Sequence, residues 1–203
     1  VHDNAEGNWH CVASNHGSRY VFRYNRINDA NAALNTTPID AHGNFYYGRG
    51  SVSYEIYENT VHSAHSFHGM YIRGGTGVIY SNRMTGDFTF PIRLTNEVGD
   101  KPYPYIDQIN NLYLWNNTYN GAAITPVVAD IGAKYVQLGR DYFLEPRPNY
   151  KAYAYPHPLT ISGSVPSVSF TSASQSKAEN AGTAMITAQL SAASSHAVSV
   201  PLT

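Results

Sequence analysis

Apolar and polar residues alternate in four short stretches of this chain, and each stretch turns on an asparagine: residues 20–27 (YVFRYNRI), 54–61 (YEIYENTV), 77–84 (GVIYSNRM) and 112–119 (LYLWNNTY). Laid over one another, the third position is always apolar (Phe22, Ile56, Ile79, Leu114) and the sixth is always Asn25, Asn59, Asn82 or Asn117. Alternation with a period of two predicts strands whose first and third residues face a core and whose second and fourth face outward. One fixed polar residue per copy predicts that the copies stack, as in a solenoid. The asparagines lie 34, 23 and 35 residues apart. The shortest gap suits one turn of a strand repeat, and the longer gaps suit the same turn carrying an inserted loop of about a dozen residues. A run of antiparallel hairpins would also alternate, but it needs no residue repeated at one register. Leucine-rich repeats carry a recurring asparagine too, yet their leucine spacing is missing.

The asparagine has a physical task in such a stack. It tolerates unusual backbone angles at the bend after a strand, and its amide both donates and accepts hydrogen bonds. A column of them ties each copy to the copies above and below. Losing one would leave buried groups unpaired, at about 1–3 kcal/mol each. The column is therefore read as structural, with no catalytic part.

With FRYN, EIYENT, IYSN and LWNNT as successive rungs, residues 9–159 resemble the right-handed parallel β-helix of the pectate-lyase-like superfamily. The resemblance implies an all-β chain in which residues 1–159 are the last coils of such a solenoid and their cap. It does not fix an activity, because lyases, hydrolases, epimerases and non-catalytic adhesins share that coil. The aromatic and proline-rich run from Arg140 to Leu159 reads as the cap that covers the last coil.

After Leu159 the composition changes. Residues 160–167 (TISGSVPS) read as a linker, and residues 168–203 alternate as strands through Val168, Phe170, Ala184, Ile186, Ala188, Leu190, Val198 and Val200. With Glu179-Asn180-Ala181-Gly182-Thr183, this segment resembles the opening strands of a Calx-beta sandwich. That resemblance implies Glu179 as a calcium ligand in a complete domain. Calcium takes about six to eight oxygens, which a single carboxylate cannot supply. An exposed turn glutamate is the expectation for this segment, and a sandwich with so few strands is expected to order poorly. An extracellular or cell-surface setting, within a longer chain cut at both ends, is implied as well.

Composition narrows the partners. A net charge of −1, with 13% charged residues among 203, offers no basic field to nucleic acid. Seventeen tyrosines beside abundant Asn, Ser, Thr and Gly describe a surface suited to sugars. Cys11 is the only cysteine, which rules out an internal disulfide. No apolar run is long enough for a membrane-spanning helix.

Two features carry candidate chemistry. In extended backbone Asp40 and His42 project to one side, a carboxylate beside an imidazole, as proton transfer requires. Arg49, Glu55, His16 and Arg19 are expected nearby, with Arg73 one coil on. A lyase would use a base beside a uronate carboxylate that an arginine or a metal neutralises. A hydrolase would use two carboxyl groups about 5–9.5 Å apart, for which Asp40 and Glu55 are the pair to test. The structural alternative has Asp40 and His42 pinning their loop, with a salt bridge to Arg49. The second feature is the outward fourth position, Arg23, Tyr57, Tyr80 and Trp115, which stacking would align into a stripe. That stripe either meets sugar rings or stacks upon itself beneath the loops. His62, His65 and His68 recur every third residue, but they are not expected to converge on a metal.

Two functions remain open from the sequence. One is a polysaccharide lyase or glycoside hydrolase using Asp40, His42, Arg49 and Glu55, with Arg23, Tyr57, Tyr80, Trp115 and Arg73 binding substrate. The other is a non-catalytic adhesin-like or stalk module that binds glycans on a large surface protein.

Overall fold

A computed structural model describes residues 2–3, 10–29, 37–44, 48–97, 101, 103–129, 132–154 and 168–191. Its strands, in chain order, are β1 (His2–Asp3), β2 (Val12–Ser14), β3 (Arg19–Arg23), β4 (Arg26–Asp29), β5 (Ile39–Ala41), β6 (Ser53–Tyr57), β7 (Thr60–Ile72) and β8 (Thr76–Tyr80). They continue with β9 (Arg83–Leu94), β10 (Leu112–Trp115), β11 (Thr118–Tyr119), β12 (Ala122–Ala123), β13 (Val127–Val128), β14 (Tyr142–Phe143), β15 (Val168–Phe170) and β16 (Ala188–Leu190). The helix α1 (Gly132–Tyr135) is a single turn, so the protein is all-β. It divides into two compact units, Val1–Tyr150 and Lys151–Thr203.

The first unit holds two sheets. Five strands pair in parallel in the order β14-β10-β8-β6-β3. Register there follows the repeats residue for residue: Phe22, Ile56, Ile79 and Leu114 form one row, and Arg23, Tyr57, Tyr80 and Trp115 another. The apolar row faces the core, where Ile56 and Ile79 are fully buried beside Ile27, Val61, Met84 and Leu112. The nine-stranded sheet runs β1-β4-β7-β9-β11-β12, with β13 on β9 and β5 joining β2 to β7. Its pairing is parallel except for the antiparallel β11–β12 edge. The long strands β7 and β9 serve two sets of neighbours, and their mutual register shifts between Ser63 and Ser66. Such a bulge bends a strand and re-aims the residues beyond it.

Between the sheets the asparagines form one column. The Nδ2 groups of Asn25, Asn59 and Asn82 donate to the Oδ1 of the next asparagine at 3.0, 2.9 and 2.9 Å. The backbone N–H groups of the same three residues donate to the same oxygens at 3.0–3.1 Å. The left-handed backbone at each bend belongs to the residue before the asparagine, namely Tyr24, Glu58, Ser81 and Asn116, with φ between 51° and 57°. The asparagine's contribution at the bend is thus its amide, and its neighbour carries the unusual angle.

The solenoid expectation is corrected here. No closed coil forms among the described residues. The chain makes two parallel-rich sheets, one of them with an antiparallel edge. A column of asparagines requires only that parallel strands lie side by side and bend at the same position. It does not require the chain to wind around a complete coil, so the repeat encodes register without encoding closure.

In the second unit β15 and β16 form one antiparallel pair, and residues 168–191 are all exposed. No sandwich forms among these described residues, because no second layer covers Phe170, Ile186 or Leu190. Glu179 sits in an exposed turn closed by Ala181 N–H donating to the Ala178 carbonyl at 3.0 Å. The proposed linker at 160–167, the end of the proposed cap at 155–159, and the strand residues Val198 and Val200 lie outside the described residues.

Candidate functional site

The outward row of the nine-stranded sheet builds the site. Register places Ala13, Asp40, Tyr71 and Arg93 side by side on β2, β5, β7 and β9. Their strand neighbours Ile39, Ala41, Met70, Ile72, Ile92 and Leu94 point the other way and are buried in the core. Period-two alternation thus separates a greasy inner face from an outer face bearing a carboxylate, a phenol and a guanidinium. Just past the strand ends, His42 follows β5, Arg73 follows β7 and Glu97 follows β9.

Arg73 is the centre of the cluster. Its Nε and Nη2 donate to Asp40 Oδ1 and Oδ2 at 3.0 and 2.5 Å, and its Nη1 donates to Glu97 Oε1. Nη2 also donates to His42 Nε2 at 2.8 Å. A guanidinium has no acceptor, so His42 Nε2 must carry a lone pair and its proton must sit on Nδ1. That Nδ1–H donates to Glu97 Oε2 at 3.1 Å, and Gly43 N–H reaches the same oxygen at 2.9 Å. Gly43 allows this approach, since a Cβ there would lie 2.6 Å from the Glu97 carbonyl oxygen. His10 is oriented in the same way: its Nδ1–H donates to the Thr37 carbonyl at 2.7 Å, leaving Nε2 3.6 Å from Asp40 Oδ2. His42 Nε2 is also 3.6 Å from that oxygen.

These groups open into a cleft of about 590 Å³, whose lining includes His10, Asn15, Asp40, His68, Tyr71 and Arg73. The Arg73 guanidinium lies 4.7 Å from the centre of the Tyr71 ring, and Arg93 lies 5.3 Å from it. His68 stacks on Tyr71 with ring centres 4.0 Å apart. Its Nε2 accepts from Arg93 Nη1 at 2.9 Å, so its Nδ1–H donates to Thr37 Oγ1 at 3.0 Å. Burial first, and then the nearby Arg93 charge, push His68 down to about 3.

A pH effect on stability follows. The unfolded His68 titrates near its ordinary value of about 6.5, so across the window from there to about 3 the unfolded chain binds the extra proton. Stability is therefore expected to fall as the pH falls through that window. In urea denaturation the loss should be smaller for His68→Gln, whose amide oxygen replaces the acceptor facing Arg93. Equal losses in the two proteins would count against a buried neutral His68.

The anticipated residues separate into three places. Asp40, His42 and Arg73 come together. Arg49 instead forms a two-pronged pair with Asp107, at 2.7 and 2.9 Å, and Gly50 N–H donates to the same carboxylate at 2.8 Å. Burial works against the Asp107 charge, but Arg49 and Gly50 outweigh it and hold the carboxyl below its usual range. The salt bridge expected to pin the Asp40 loop through Arg49 is thus made by Arg73. Glu55 stands on β6 in the other sheet and accepts from Tyr150 Oη at 2.7 Å, so Asp40 and Glu55 do not form a pair across one cleft.

Arg23, Tyr57, Tyr80 and Trp115 do align. Arg23 Nη1 donates to Tyr57 Oη at 2.5 Å. Tyr57 stacks on Tyr80 at 4.6 Å and Tyr80 on Trp115 at 4.3 Å, with planes within 10°. Both faces of Tyr80 are therefore taken by neighbouring rings, and Tyr150 stands edge-on to Tyr80 and Trp115. A sugar ring needs an open aromatic face, whereas a stack of this kind turns its ring edges outward. The stripe ties strand to strand, at about 0.5–1.5 kcal/mol per ring pair beyond burial. His62, His65 and His68 turn to Thr85, Asp87 and Thr37 respectively and do not converge.

The sequence did not point to His10, Tyr71 and His68 as lining the cleft, nor to Glu97 and Arg93 as the partners of His42, Arg73 and His68. Only the alternation in YIR and PIRL, once aligned with IDAH, carried a signal for Tyr71 and Arg93.

No protein-family model, curated protein or solved structure matches this chain. The resemblances to the pectate-lyase-like superfamily and to the Calx-beta domain are accordingly withdrawn. The short asparagine and E-N-x-G-T patterns that suggested them record local bends and turns, which many β proteins need.

Proposed function

We propose that this chain is an extracellular, carbohydrate-directed protein whose ligand is an acidic polysaccharide or surface glycan held in the Asp40–His42–Arg73 cleft. The observation carrying this reading is the convergence of Arg73, Asp40 and the His10 and His42 imidazoles along one open cleft. A uronate ring offers matching chemistry: a carboxylate for the guanidinium, and hydroxyls for Asp40 and the imidazoles. The extracellular setting follows from that ligand, which is met at or beyond the cell surface.

Of the two bond-breaking reactions, β-elimination fits the layout better than hydrolysis. Elimination needs a neutralised carboxylate and a proton acceptor, which Arg73 and the His42 Nε2 lone pair supply. Hydrolysis needs the paired carboxyl groups that Asp40 and Glu55 do not make. A second reading, binding without cleavage, is favoured by one fact: Arg73 is already held by two carboxylates, as a structural clamp would be.

The test is a panel of acidic and neutral polysaccharides, followed for binding and for the ultraviolet absorbance of unsaturated uronate products. Cleavage of an acidic member, reduced roughly 100-fold or more by His42→Ala, is the expected result. Binding of an acidic member without cleavage, weakened by His42→Ala, would support the second reading. Binding to no acidic member would overturn both.

A further inference from the structure

The cleft brings together three ligand atoms of a kind that metal centres use. One ligand atom each from His10, His42 and Asp40 lie within 4.8 Å of one another, and the Nε2 atoms of both histidines are 3.6 Å from Asp40 Oδ2. Both imidazoles carry their proton on Nδ1, because the partner there is an oxygen: the Thr37 carbonyl for His10 and the Glu97 carboxylate for His42. That is the arrangement in which a histidine binds a cation through Nε2 while its other nitrogen is fixed by an acceptor behind it. The burial is graded as well. The Asp40 side chain is 2% exposed, that of His42 10% and that of His10 24%, so the site is closed at its base and open on the His10 side.

A cation already marks the position. Arg73 Nη2 sits 2.5 Å from Asp40 Oδ2 and 2.8 Å from His42 Nε2, making two of the three contacts a metal would make. The guanidinium is rigid and planar, so Nη2 leaves only when the whole group turns, giving up its bonds to Asp40 and His42 while Nη1 stays on Glu97 as the pivot. Charge allows the exchange. With neutral imidazoles, Asp40, Glu97 and Arg73 together sum to −1, and a divalent ion brings the cluster to +1.

We propose that His10, His42 and Asp40 form a binding site for a borderline divalent cation such as Zn²⁺, with Arg73 as the resident cation that yields to it. Two imidazole nitrogens and one carboxylate oxygen suit zinc or a neighbouring first-row metal and suit calcium poorly, since calcium prefers all-oxygen shells. Three protein ligands leave a coordination position toward the cleft, as in zinc sites that take a water or a substrate oxygen. The proposal goes beyond the polysaccharide reading and needs no sugar for its test.

The experiment titrates the metal-free full chain with Zn²⁺ by calorimetry and with Co²⁺ by visible absorption. About one equivalent of Zn²⁺ is expected to bind, and Co²⁺ should give the d–d bands of a four- or five-coordinate ion. His10→Ala should weaken binding roughly 10–100-fold. His10 lies at the open side of the site, which favours a folded variant, and circular dichroism checks that it is. His62→Ala, outside the cleft, should bind as the unaltered chain does. Zn²⁺ should raise the melting temperature of the unaltered protein and fail to raise that of His10→Ala. No binding by the unaltered chain, or equal binding by His10→Ala, would overturn the proposal. Metal binding without any polysaccharide affinity would leave it standing while removing the sugar reading.

Discussion

Replacing Arg73 by methionine should cost about 3–5 kcal/mol of stability, the range found when one partner of a buried ion pair is removed. Arg73 bridges Asp40 and Glu97, whose side chains are only 2% and 11% exposed. Without the guanidinium both carboxylates stay in a poorly solvated place with a neutral histidine between them. His42 Nε2 also loses its donor. Against a total stability of about 5–15 kcal/mol for a domain, such a loss would show as a large drop in the urea midpoint. Arg73→Lys should recover only part of it. An ammonium is a point charge and cannot place parallel donors on Asp40 while reaching Glu97. An unchanged midpoint for Arg73→Met would mean that the charges find water after all, and the closed base of the cleft would be wrong. The prediction also separates structure from chemistry: Arg73→Met tests the clamp, whereas His10→Ala and His42→Ala test what the clamp holds in place.

What the chain's pattern conveys follows from the range of each physical cause. Alternation acts between adjacent residues, so the inward rows through Phe22, Ile56, Ile79 and Leu114 and the outward row through Tyr57, Tyr80 and Trp115 were legible. The same local rule placed Asp40 and His42 on one side. It could not tell which sheet an outward residue belongs to, and Glu55, outward on β6, was grouped with a cleft on the other sheet. Tyr71 and Arg93 meet Asp40 only through the register of β5, β7 and β9, and the shift between Ser63 and Ser66 resets that register. Glu97 reaches His42 across 55 positions of chain, and no spacing rule spans that distance. The angle at the bend is hidden for a related reason. The left-handed angle falls on Tyr24, Glu58, Ser81 and Asn116, which share no side-chain character, so no repeat betrays it.

Removing one interior member of the asparagine column should be nearly as damaging as removing Arg73. Asn82 Oδ1 accepts both the backbone N–H and the Nδ2–H of Asn59, at 3.1 and 2.9 Å. Asn82 Nδ2 donates to the Ile56 carbonyl at 3.0 Å, the Tyr80 carbonyl at 3.1 Å and Asn117 Oδ1 at 2.9 Å. In Asn82→Ala the Asn59 N–H and the Ile56 carbonyl lose these partners in a place that water does not reach easily. At about 1–3 kcal/mol per buried orphan, a loss of roughly 2–5 kcal/mol is expected. Asn25 is half-buried and is the last asparagine of the column among the described residues, donating to the Arg23 carbonyl and to Asn59. Asn25→Ala should therefore cost about 1 kcal/mol, the net worth of an ordinary hydrogen bond. Asn82→Asp keeps the acceptor that holds Asn59 but turns an oxygen toward Asn117 Oδ1, so it separates the donor half of the amide from the acceptor half. Amide hydrogen exchange gives a local readout, because the Asn59 N–H should lose its protection in Asn82→Ala before the sheets open as a whole. If Asn82→Ala costs no more than Asn25→Ala, the column is a spectator. The parallel register would then rest on the backbone ladder and on the packing of Ile56 against Ile79.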